Sequence, residues 1–160
     1  MISTTGEYQV AAIDVFGLWA AVFRFSVSSN GDWDTDTDIA GLSSAGSWEF
    51  YTGGGMRSRG WAWRAPRDGW PFGHLLTFGH IGMDVTVEDE DVEIIAVSGF
   101  ASGSTDAVRV TTPSADRTVA PSRTGAFVVV GLGSGFDYLT VTAMKDGEPL
   151  SRGYSFPAPP

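Results

Sequence analysis

Cysteine is absent from the 160 residues, which excludes disulfide scaffolds, thiolate-ligated zinc or iron–sulfur sites and thiol nucleophiles. The compartment is not decided by this, since a chain without thiols persists in either redox environment. Lysine is nearly absent too. Lys145 stands alone beside the arginines, and the 10 cations face 19 carboxylates, for a formal charge of −9. So acidic a chain lacks the basic face that phosphate neutralisation needs, and neither a nucleic acid nor an anionic membrane is expected as partner. Long apolar runs are missing as well. The longest, Val10 to Phe23, is interrupted by Asp14 and Gly17 and falls short of the ~20 residues of a membrane-spanning helix. No basic leader with a small-residue cleavage site precedes it, so the expected location is the cytoplasm or an assembled particle. Nor does any apolar pattern of helical period run for more than three turns between a cap and a stop.

What is present is a period of two. Ala11, Ile13, Val15, Gly17, Trp19, Ala21, Phe23, Phe25 and Val27 alternate with positions that turn polar only from Arg24 onward. This predicts two strands, or one bent strand, with Gly17 at the bend, buried on both faces at first and half-exposed later. A helix over Val10 to Phe23 is the competing assignment. Further β-favouring runs follow at Trp48–Tyr51, Arg57–Arg64, Leu75–Phe78, Asp84–Val87, Val92–Phe100, Ala107–Thr111, Phe127–Val130, Tyr138–Met144 and Leu150–Phe156. Turn-forming clusters such as Asn30-Gly31, Asp68-Gly69 and Asp146-Gly147 separate them. The expected fold class is therefore all-β, a β-sandwich.

Residues 84–156, with about six such runs, resemble an immunoglobulin-like or fibronectin-type sandwich. The resemblance implies a fold and nothing more. The Cys and Trp pair of antibody domains is missing, and no Trp follows Trp70. The Trp-rich residues 1–82 are expected to pack on that half within a single domain over 1–160, which is divisible at this junction. The tail from Pro157 to Pro160 reads as a linker end or a docking strap.

Three segments are candidates for function. In the first, Asp32, Asp34, Asp36 and Asp38 alternate strictly. If extended, they line one face, with Trp33, Thr35, Thr37 and Ile39 as the inward set, and neighbouring carboxylates ~6.6 Å apart demand counter-charge. If the segment curls instead, alternate carboxylates converge on calcium. The EF-hand template does not fit, because Ile39 falls where glycine is required when Asp34 opens the loop.

The second segment, Met56 to Phe72, is the one basic stretch, with Arg57, Arg59, Arg64 and Arg67 against Asp68 and with Trp61, Trp63 and Trp70 interleaved. Tryptophan and arginine are the residues over-represented at interface anchors, so Arg57, Arg59, Trp61, Trp63, Arg64, Arg67 and Trp70 form the candidate surface for a protein partner or a second copy of the chain. Indoles also stack on sugars, which makes a carbohydrate-binding module with structural calcium the alternative. A purely structural use has the indoles in the core and the guanidinium groups paired with the aspartate ladder. The third segment, Glu88 to Asp91, lies between two apolar alternations and reads as a solvated hairpin tip.

Catalytic constellations are incomplete. His74 and His80 are six positions apart on an apparent strand, hence roughly 20 Å, too far to share a metal. No G-x-S-x-G elbow occurs, and the glycines at 131, 133 and 135 lead into another strand, not into a helix N-terminus. Pairs such as Glu49 with Asp68 offer a hydrolase two carboxylates, but 19 acids make some such pair inevitable. A non-catalytic interaction or structural module is the expectation.

Overall fold

The computed structural model describes residues 7–27, 33–58, 76–87, 89–113, 115–133, 139–150 and 154–156. These form strands and, among the described residues, no helix. In chain order the strands are β1 (Gln9–Phe16), β2 (Trp19–Val27), β3 (Trp33–Leu42), β4 (Trp48–Ser58), β5 (Leu76–Val87), β6 (Glu90–Ala101), β7 (Ala107–Thr112), β8 (Ala115–Val119), β9 (Ala126–Gly133), β10 (Leu139–Lys145), β11 (Glu148–Pro149) and β12 (Tyr154–Phe156). The all-β expectation is met. Every pairing is antiparallel, and the strands make an N-terminal sheet β1-β2-β3-β4, a central sheet β5-β6-β9 and a C-terminal sheet β11-β10-β7-β8, with β12 also on β10.

The central sheet is buried on both faces, which is why β6 reads as a nearly unbroken apolar run. Its two side-chain sets serve different cores. Ile94, Ala96 and Phe100 of β6 with Ala126, Val128 and Val130 of β9 pack on Ala21, Phe23, Phe25 and Ile39 of the N-terminal sheet. Ile95, Val97 and Ala101 with Phe127 and Val129 pack on Val108, Val110, Leu139, Val141 and Ala143 of the C-terminal sheet. The Phe100 ring meets Phe23 edge-on at 5.4 Å and Phe25 at 6.1 Å. One buried polar pair crosses the first core, Thr37 Oγ1 and Ser98 Oγ, 2.6 Å apart. Each hydroxyl thereby keeps a partner away from water.

The Val10–Val27 stretch is two strands, and no helix forms there. Gly17 and Leu18 make a two-residue loop in which only the glycine has positive φ, +60°. That is the type II′ pattern, with glycine at its first central position. The loop pairs Phe16 with Trp19, so the odd positions change face across it. Hence Ala21, Phe23 and Phe25 point into the core while Ile13 and Val15 point away from it, where the sequence led us to expect burial on both faces. The runs at Leu75–Phe78 and Asp84–Val87 belong to one long strand, β5, that passes through the 82–84 junction. β8 was not anticipated from the sequence, being short and bearing Asp116 and Arg117. Val87 pairs with Glu90 across the β5–β6 hairpin, with Asp89 at φ +65°, so the acidic segment is a hairpin tip as expected. Thr86 there donates to Asp91 at 2.8 Å.

A polar clasp joins the three sheets. At the edge of β9, the Val130 N–H donates to Asp14 Oδ2 at 2.9 Å and the Val130 carbonyl accepts from Arg117 Nη1 at 2.6 Å. Asp14 of β1 and Arg117 of β8 are themselves ion-paired, through Nη1 to Oδ2 and through Nη2 to Oδ1 at 3.1 Å. Phe16 supplies a ring 4.9 Å from the Arg117 guanidinium carbon. The backbone groups that a further strand would pair with are thus occupied, which protects the sheet edge.

Candidate interaction face

The N-terminal sheet turns its second face outward. Antiparallel register sets that face out in rows. Val15, Ala20, Ala40 and Phe50 make one row, and Ile13, Val22, Asp38 and Gly53 the next. Leu42 with Trp48 lies beyond the first row, toward the Gly17-Leu18 loop, while Val10, Arg24, Asp36 and Gly55 make a third row in the other direction. Ile13 is 61%, Val15 52% and Phe50 66% exposed, and Leu18 and Trp48 are also exposed. Ala20 and Ala40 between them are 7% and 3% exposed, being short side chains flanked by long ones. The half nearer the Gly17-Leu18 loop is therefore apolar, and the other is charged apart from exposed Val10 beside Arg24.

The charged half rests on Arg24. Its Nη2 donates to Asp36 Oδ2 at 2.7 Å and also to Asp38 Oδ2, so one guanidinium serves two carboxylates. Tyr8 lies 5.7 Å from the guanidinium carbon by its ring centre, and the buried Nε has no acceptor among the described residues. Burial, and next the negative charge of Asp36, push the Asp38 carboxyl above the usual aspartate value, although the charge and hydrogen bond of Arg24 act the other way. Glycine stands opposite both carboxylates in the β3–β4 register, Gly55 beside Asp36 and Gly53 beside Asp38.

The aspartate ladder is extended, as one of the two readings required. Thr35, Thr37 and Ile39 are buried and Asp34, Asp36 and Asp38 alternate with them. The counter-charge comes from Arg24, which sequence reasoning did not single out. Arg57 is the cross-strand partner of Asp34 in the β3–β4 register. Asp32, Arg59, Trp61, Trp63, Arg64, Arg67 and Trp70 lie outside the described residues, as does His74. Among the described residues no three or more acidic or histidine side chains are grouped as a metal site. His80 sits on β5, half-buried, and burial holds its pKa below the ordinary histidine value. A shallow cleft of about 240 Å³ between Gln9–Ala11 and Ser122–Thr124 falls below the ~300–1,000 Å³ of typical small-molecule sites.

The opposite outer surface, on the C-terminal sheet, is polar. Exposed Arg109 donates from Nε to Asp116 Oδ1 at 2.8 Å, and this bond is the main cause of the lowered Asp116 pKa. Asp116 and Thr118 of β8 are exposed beside it, whereas Val108 and Val110 of β7 point inward. The exposed residues that distinguish the two surfaces are thus Ile13, Val15, Leu18, Trp48 and Phe50, none of which the sequence reading put forward. Their signal was the loop parity at Gly17, which turns half of an apolar alternation outward. No family model, curated protein or solved structure matches this chain.

Proposed function

We propose that this chain is a non-catalytic interaction module, docking on a protein partner or within a larger assembly. The docking surface is the outer face of the N-terminal sheet together with the arginine- and tryptophan-rich stretch from Arg57 to Trp70, which begins at the end of β4 and continues past it in the chain. The observation that carries this reading is the contrast between the two outer sheets. One has a polar surface carrying an Arg109–Asp116 pair, and the other exposes Ile13, Val15, Leu18, Trp48 and Phe50. An apolar patch of that kind with a polar margin marks interaction surfaces, whereas apolar residues scattered singly do not.

The immunoglobulin-like reading of the second half belongs with this proposal. It is supported by the strand order, β5-β6-β9 on one side of a core and β10-β7-β8 with β11 and β12 on the other, with no cysteine involved. Such sandwiches serve widely as binding scaffolds, which is an analogy of fold and not of site.

Chemical cross-linking in the native host, read by mass spectrometry, tests the function. Cross-links to a foreign protein or to a second copy should map to β1, β2 and β4, and should disappear in Phe50→Asp, while the melting temperature stays within about 2 °C because the ring is exposed. Cross-links confined to the polar C-terminal sheet, or indifferent to Phe50→Asp, would contradict it.

A further inference from the structure

Resting on that reading, we propose that the occupant of this face is a second copy of the same chain, related by a two-fold axis that runs parallel to the strands between β2 and β3. The face is self-complementary about that axis in its apolar row and at the Arg24–Asp36 position. A rotation about the strand direction lays β1 over the partner's β4 and β2 over the partner's β3, while every residue keeps its height along the strands. Each row then meets itself reversed. Val15 comes over Phe50 of the partner subunit, and Ala20 comes over Ala40 of the partner subunit, so the apolar half covers the apolar half. In the charged half Arg24 comes over Asp36 of the partner subunit, because Arg24 and Asp36 share a row.

Within one copy Asp36 and Asp38 share the Arg24 guanidinium and face glycines on β4. In the dimer a second guanidinium stands opposite Asp36, and Asp38 comes over Val22 of the partner subunit.

Size and geometry agree. Four strands at ~4.8 Å and about ten residues at ~3.3 Å give roughly 600 Å² in plan before side-chain relief is counted. A standard interface takes about 800 Å² of accessible surface from each partner. Face-to-face sheet packing is also how this chain builds both of its own cores.

The test is light scattering after size exclusion from about 1 to 100 µM, combined with site-specific cross-linking. The expected mass is about 34 kDa, twice the 17.0 kDa of the chain, falling toward one chain on dilution. Phe50→Asp and Val15→Asp should each weaken association roughly thirtyfold or more, the weight of a central anchor. Because the chain has no cysteine, Val15→Cys and Phe50→Cys introduce unique thiols. A short bis-maleimide should join Val15→Cys to Phe50→Cys in a mixture, across the ~10 Å sheet spacing, and should leave Val15→Cys alone unjoined, at roughly 17 Å. Val15→Cys joining to itself would overturn the axis. A strict monomer up to 100 µM, or a dimer indifferent to both aspartate variants, would overturn the second copy as occupant. In either case the interaction reading stands if foreign cross-links still depend on Phe50, and falls with the dimer if they do not.

Discussion

Asp14 and Arg117, 103 positions apart in the chain, form an ion pair whose members also hold the N–H and the carbonyl of the same residue, Val130. One residue comes from the N-terminal sheet, one from the C-terminal sheet, and the backbone between them is the edge of the central sheet. The pair is mostly buried, so losing one partner leaves an uncompensated charge and an unsatisfied backbone group. Arg117→Met and Asp14→Ala are each expected to cost about 2–3 kcal/mol in urea unfolding, and the double variant clearly less than the sum of the two. Strict additivity would show that the two residues act separately.

Exposure predicts a sharp contrast between two phenylalanines. Phe100 is buried against Phe23 and Phe25, so Phe100→Ala should cost about 3–5 kcal/mol. Phe50→Ser, on the outer face, should change monomer stability by no more than about 0.5 kcal/mol. Chemical denaturation at low protein concentration reads both. A large loss from Phe50→Ser would place its ring in a core.

Gly41 is held by close approach of its neighbours. A β-carbon there would meet Tyr51 Cε2 at 2.7 Å and Trp19 Cζ3 at 3.1 Å, the two rings lying 5.8 Å apart. Tyr51 is exposed and is able to swing away, so Gly41→Ala should destabilise by only about 1–2 kcal/mol. A shift in Trp19 emission should accompany the loss. Unchanged emission with unchanged stability would show that the rings do not close over this position.

His80 and Asp38 make stability depend on pH in opposite senses. His80 has a folded pKa below 6.5 because it is buried, so the unfolded chain takes up its proton first as the solution is acidified. Its contribution is fully present above pH 6.5 and is lost as pH falls from there to the folded value. His80→Gln should flatten that slope. Asp38 has a folded pKa above 3.8, so stability falls as pH rises from 3.8 through the folded value, and the penalty persists above it. Asp38→Asn should therefore be the more stable protein at pH 7, with an advantage that narrows toward pH 3.8. Urea midpoints across pH 3.5–7.5 check both signs.

The parts of this fold that were legible in the sequence are those written in local chemistry. The alternation from Asp34 to Ile39 placed threonine and isoleucine inward and carboxylates outward, and Asp146-Gly147 marked a turn in which both residues have positive φ. The acidic tip at Glu88–Asp91 was equally plain. What the sequence hid was the consequence of a two-residue loop. Ile13 and Phe23 share an odd numbering, yet lie on opposite faces because Gly17-Leu18 reverses the parity. Arg24 as the counter-charge of Asp36 and Asp38 depends on cross-strand register, which no spacing within one segment reveals. β8 went unrecognised because Arg117, which ties it to β1, is a cation whose partner is 103 positions away.

The most direct test of the docking face is hydroxyl-radical footprinting as protein concentration is raised from about 1 to 100 µM. Ile13, Val15, Trp48 and Phe50 should become protected together, while exposed residues of the C-terminal sheet such as Arg109 and Thr118 keep a constant rate. Uniform reactivity of those four residues over the whole range, or protection that appears on the C-terminal sheet instead, would contradict the assignment of the N-terminal sheet as the surface this protein docks through.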